Sequence, residues 1–219
     1  MPPEVTAPTR ETRCHVGLEL REAPPGSKSV GTLVGYAAVY GSLSEDLGGF
    51  REQIRPGAFD RALASNADVV ALVNHDEDLV LGRLEATTLR LIADEKGLRV
   101  EIDLPDTTLG RDLAVQIGRR DLSKMSFAFI AVIDEWDLSG TVAVRTLIDV
   151  DLFDVSVVTW PAYRATSVTL ALRSLESARK AVPPATPPPA PPEGRSPAPA
   201  IPAIEQSLLE ARLRLAESH

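Results

Sequence analysis

Three side chains in this sequence have the types that acyl-transfer chemistry uses: a hydroxyl at Ser126, an imidazole at His75 and a carboxylate at Asp154. Histidine is scarce, since the 219 residues contain three and the other two are His15, near the start, and His219, the last residue. A general base working near neutral pH therefore falls to His75 almost by elimination. It follows the apolar run 69–73, at the expected end of a strand, where loops carry function on a rigid scaffold. Ser126 stands in Lys124-Met125-Ser126-Phe127-Ala128-Phe129. Strand alternation puts Ser126, Ala128 and Ile130 on one face and Phe127, Phe129 and Ala131 on the other. The small neighbours leave room for a peptide carbonyl to approach the hydroxyl. Asp154 lies in the otherwise apolar segment 152–158, where a carboxylate costs free energy unless it has a partner. An imidazole to orient would be such a partner. Each residue also has a structural alternative. Ser126 would satisfy a local hydrogen bond, His75 would be a turn residue between Asn74 and Asp76, and Asp154 would sit on the solvent side of a half-exposed strand beside Asp149 and Asp151.

Positioning these groups calls for a scaffold rich in strands. Residues 30–40 are β-branched and aromatic, with Gly35 marking a bulge or a close backbone approach. Further strands are expected at 68–73, 86–92, 98–104, 126–133, 143–148 and 152–158. Two helices interrupt them. One is 56–63, opened by Pro56 and packing Phe59 inward; the other is 107–117, capped by Asp106 or Thr107 and stopped at Gly118. Gly82 and Gly97 are expected at turns that need unusual backbone angles. Many short strands with two helices predict an α+β, mainly β fold: a closed or nearly closed β-barrel flanked by helices, because closure removes exposed edges.

A chain with 44% hydrophobic residues can bury one good core plus a tail. About half of residues 182–202 are proline, mixed with alanine, which favours an extended polyproline linker. Beyond it Ile204, Leu208, Leu209, Leu213 and Leu215 have nearly the spacing of an amphipathic helix, too short to be stable alone and suited to docking on a partner or on a copy of itself. The expected organisation is an N-terminal arm over 1–13, a folded domain over 14–176, the linker over 177–202 and a C-terminal helix over 203–219. A net charge of −8 argues against nucleic acid as a partner. Cys14 is the only cysteine, so neither an internal disulfide nor a cysteine-based zinc site can form, and Cys14 and His15, adjacent in a strand, face opposite ways and make no thiol pair. With no phosphate loop, dinucleotide fingerprint or metal cluster, no cofactor and no metal are expected. No apolar stretch approaches the roughly 18 residues of a membrane span, so a soluble, cytoplasmic protein is expected.

Six spaced motifs carry a resemblance: Gly35-Tyr36-Ala37-Ala38-Val39-Tyr40, Ile54-Arg55-Pro56-Gly57-Ala58-Phe59, Leu72-Val73-Asn74-His75-Asp76, Leu81-Gly82-Arg83, Met125-Ser126-Phe127-Ala128-Phe129 and 154–162. In content and order, over about residues 15–172, they resemble the prohead (capsid maturation) proteases of tailed bacteriophages with HK97-type capsids. The resemblance implies a serine endopeptidase with a fold related to the herpesvirus assembly proteases, and makes 14–176 its protease domain. Ser126 maps to the nucleophile and His75 to the base. Herpesvirus-type enzymes use a second histidine, absent here from the matching region after Ser126, and phage relatives typically carry a glutamate where this chain has Asp154, so Asp154 is the implied third member. Backbone amides near 160–164 and the guanidinium of Arg164 or Arg145 are candidate oxyanion donors. The implied partner is the major capsid protein with its scaffolding segment, alongside self-cleavage and possible self-association. The implied location is the bacterial host's cytoplasm and, transiently, the immature capsid. The alternative is a catalytically silent internal scaffold or assembly protein.

Overall fold

The computed structural model describes residues 10–23, 26–65, 67–160 and 165–181. Alternation of inward and outward residues along Ser29–Val39 forms β3, which pairs antiparallel with β8 (Gly97–Pro105). With β2 (Leu18–Arg21) and β7 (Leu89–Ala93) they make a four-stranded sheet in the order β2-β3-β8-β7. The six-stranded sheet runs β1 (Glu11–Val16), β9 (Lys124–Asp137), β10 (Ala143–Val158), β5 (Val70–Val73) and β6 (Asp76–Arg83), with β4 (Phe50–Ile54) also paired to β10. Leu33, Leu98, Val100, Ile102 and Leu104 of the smaller sheet join Ala71, Phe127, Phe129, Val155 and Val157 of the larger one in a single core. Phe127 stacks on Phe129 and meets Phe59 edge to face, anchoring β9 on its core side.

The fold is mainly β with few helices, as expected. Among the described residues no ladder closes the strands into one barrel; they form two sheets, and Gly17, at φ +136°, carries the chain from β1 in one to β2 in the other. Chains that turn a corner between sheets need such a pivot, because other residues avoid that conformation. The close approach expected at Gly35 is present: a Cβ there would lie 2.7 Å from the carbonyl oxygen of Gly17. Gly82 lies in β6 rather than at a turn, and Gly97 closes the turn that opens β8; neither has positive φ, and the backbones of Thr88 and Ala38 leave no room for a side chain at them.

The two strands expected over 143–148 and 152–158 are one strand of 16 residues. Its pairing with β9 is irregular at Leu147/Asp149, Asp149/Val150 and Leu152/Asp154, where the sequence suggests an interruption. In the expected gap, Asp149 and Asp151 accept from Arg61, both at 2.7 Å. Pro56 opens a turn, with Gly57 at φ +90°, and the helix α1 begins only at Asp60, spanning Asp60–Ala64. Phe59 is fully buried as expected. Helix α2 spans Thr108–Gly118 with Thr107 as its cap, and the left-handed residue follows at Arg120 rather than at Gly118.

A third helix, α3 (Ala165–Ala181), was not expected; it runs past residue 177, where the linker is expected to begin, and packs Ala171 and Leu175 against Leu47, Phe50 and Ala143. At the other end β1 starts at Glu11, within the expected arm. The expected linker beyond 181, the C-terminal helix over 203–219 and residues 1–9 lie outside the described residues. Among the described residues no helix is long and apolar enough to cross a membrane.

Candidate active site

Ser126 lies near the start of β9, an interior strand of the larger sheet, in register with Cys14 on β1 and with Ser156 on β10. Directly paired residues share a face, so a hydroxyl and a thiol flank Ser126 across the strands. On β10 the irregularity between Leu152 and Asp154 resets the alternation just before the carboxylate, the kind of bulge that re-aims a side chain beside a site. Asp154 then pairs with Ala128, two residues along β9 from Ser126.

His75 reaches this face from a turn. The parallel pairing of β5 with β10 sets Val73 beside Val157, and β5 and β6 are joined by Asn74 and His75, with Val73 paired to Asp76. Both turn residues have positive φ, 53° for Asn74 and 57° for His75. A two-residue hairpin of type I′ demands that conformation twice; asparagine and histidine accept it better than most residues. The turn is clamped to the end of β10. Asn74 N–H donates to the Val157 carbonyl at 2.8 Å, and Thr159 N–H donates to Asn74 Oδ1 at 3.0 Å.

Ser126 Oγ lies 2.8 Å from His75 Nε2, and His75 Nδ1 lies 2.6 Å from Asp154 Oδ1. A carboxylate can only accept, so the ring proton sits on Nδ1 and leaves Nε2 bare to accept from the serine hydroxyl. The three residues expected from the sequence are therefore joined in one chain of hydrogen bonds in the order serine, imidazole, carboxylate. The site is dry: Ser126 has no exposed surface, and the side chains of His75 and Asp154 are 7% and 6% exposed. Low dielectric strengthens each of these bonds.

Sequence reasoning passed over Ser156. Its Oγ donates to Asp154 Oδ1 at 2.8 Å and accepts from the His75 backbone N–H at 3.2 Å. A serine between valines in a strand carries no local signal of this. Arg145 is not an oxyanion donor. It lies nine residues before Asp154 on β10, and its guanidinium is held by Glu11 at 2.8 Å, Glu52 at 3.1 Å and Asp134 at 2.6 Å. Burial opposes its charge, but the hydrogen bond it donates to Glu11 and the charges of Glu11, Glu52 and Asp134 prevail and raise its pKa. Arg164 lies outside the described residues.

A family model described as caudovirus prohead serine protease matches residues 17–181. Among solved structures, that of the bacteriophage T4 capsid assembly protease is similar with a TM-score of 0.40 and 12% identity, over 68% of this chain and 99% of the phage protein. No curated protein sequence matches.

Proposed function

The chain belongs to the caudovirus prohead serine protease family, and from that premise we propose that it is the maturation endopeptidase of a tailed-phage capsid, with Ser126 as nucleophile, His75 as base and Asp154 as the residue that orients the base. The observation that carries the assignment is the continuous chain from Ser126 Oγ through His75 to Asp154, with links of 2.8 and 2.6 Å. In the acylation step Ser126 Oγ attacks the scissile carbonyl while His75 Nε2 takes its proton. The imidazolium so formed is stabilised by Asp154 across Nδ1–H and returns the proton to the leaving amine. Water then enters, is deprotonated by the same Nε2, and cleaves the acyl-enzyme to release the second product and restore the hydroxyl. The two-sheet body with its corner at Gly17 supports this role by presenting the nucleophile from a central strand, where packing on both neighbours limits its motion.

The substrate proposed is the major capsid protein with its scaffolding segment, met inside the immature capsid, and the chain itself is a second substrate. Family membership and the absence of any basic cluster in a chain of net charge −8 favour a protein over a nucleic-acid partner. The test is co-expression of the chain with its capsid protein, with and without Ser126→Ala. Discrete truncation of the capsid protein by the native chain alone is the expected result. Cleavage that persists in the variant would remove Ser126 from its role, and no cleavage by either chain would favour the silent scaffold.

A further inference from the structure

Resting on the Ser126, His75 and Asp154 assignment above, we infer that Ser156 is a positioning residue of the site, a fourth member that ties the base to the carboxylate. A buried serine in a strand ordinarily spends its hydroxyl on nearby backbone. Ser156, fully buried, does not. Its single proton goes to Asp154 Oδ1 at 2.8 Å, and its lone pairs face the backbone N–H and the Nδ1 of His75, both at 3.2 Å, across 81 residues of sequence. Every described hydrogen bond of its side chain is thus made to one of two proposed catalytic residues.

The placement follows from the sheet. Residues two apart on a strand share a face, so Asp154 and Ser156 point the same way, and the register puts Ser156 opposite Ser126 itself. The hydroxyl therefore stands beside both the carboxylate and the Nδ1 edge of the imidazole. Two constraints come from one atom. By donating to Oδ1 it gives that oxygen a second donor besides the imidazole and stops the carboxylate from swinging away; by accepting from His75 N–H it holds the base in its left-handed turn conformation, where φ is 57°. Neither task requires contact with substrate.

The test uses the full chain and a fluorophosphonate probe, which reports activation of a serine without a known substrate. In the native chain the probe should label Ser126, located by mass spectrometry. Ser156→Ala should lower the limiting rate of labelling roughly tenfold to hundredfold, the loss that misplacing a reacting group brings, while the half-saturating probe concentration is unchanged. Its low-field Nδ1–H proton resonance for His75 should shift or broaden at unchanged circular dichroism. In an Asp154→Ala background the same substitution should cost less than it does alone, because part of its effect passes through that carboxylate. Native labelling rate and an unmoved resonance in a folded Ser156→Ala chain would overturn the inference and leave the triad intact. Equal and independent losses in both backgrounds would reduce Ser156 to a structural residue. Failure of the native chain to label at Ser126 would remove the triad, and this inference with it.

Discussion

At the level of single residues, the site depends on which nitrogen of His75 carries the proton, and Asp154 decides that by accepting only. Asp154→Asn offers an amide that can donate to Nδ1 and so favours the other tautomer, with Nε2 protonated and unable to act as base. Activity should fall by about four orders of magnitude, with the unfolding midpoint little changed; proteolysis rates beside a urea titration check both. Cys14, opposite Ser126, behaves differently from an activated thiol. Burial raises its pKa above the ordinary thiol value, and the nearby charge of Lys124 offsets this only in part. Less thiolate is present at neutral pH than in a free cysteine, so iodoacetamide should react with the folded chain more slowly than with the denatured one. The rate should climb as pH rises through and beyond the ordinary thiol range. Equal rates for folded and denatured protein at pH 7 would contradict this environment.

At the level of elements, α2 tests whether propensity or packing governs a helix position. Gly110 lies in its first turn, and its N–H is received by the Thr107 side chain at 3.2 Å. Replacing a helical glycine by alanine ordinarily gains about 1 kcal/mol. Here the new Cβ would land on the carbonyl oxygen of Pro105, a backbone atom that cannot turn aside. Overpacking of this kind costs about 1–3 kcal/mol, so Gly110→Ala should destabilise the fold, and a lowered midpoint in thermal or urea unfolding is the expected result.

At the level of the whole molecule, a buried ionic cluster joins segments far apart in sequence. Arg145 of β10 meets Glu11 of β1, Glu52 of β4 and Asp134 of β9, and Arg13 adds bonds to Glu11 at 2.9 Å and Glu52 at 2.6 Å. Ser174 of α3 donates to Asp134 at 3.0 Å and receives the Trp136 indole N–H at 2.9 Å, which brings the last described helix into the same network. Removing one partner leaves charges buried without compensation. Arg145→Met should therefore cost about 3–5 kcal/mol, measured by urea unfolding, whereas Arg61→Ala, which breaks exposed pairs with Asp149 and Asp151, should leave the midpoint almost unmoved.

These cases explain what could be read before folding. Residue types, the scarcity of histidine and the order of the motifs single out Ser126 and His75, and alternation identifies β3, β8 and β9, because face preference is a local property of a strand. Thr107 as a cap and Phe59 as a core residue are local in the same sense. Strands β1 and β4 escaped because Glu11, Arg13 and Glu52 look solvent-exposed in isolation; only their meeting with Arg145 makes them buried residues. Asp154 had two local explanations, and the bulge before it together with the turn brought alongside by β5 selects between them. Ser156 lies in the 154–162 motif, yet nothing local gave it a role. The sequence by itself determined the chemistry available, a mainly β chain with a serine, an imidazole and a carboxylate in family order. The tertiary structure decided which carboxylate and which second hydroxyl reach the imidazole, because pairing between distant strands depends on the packing of the whole core.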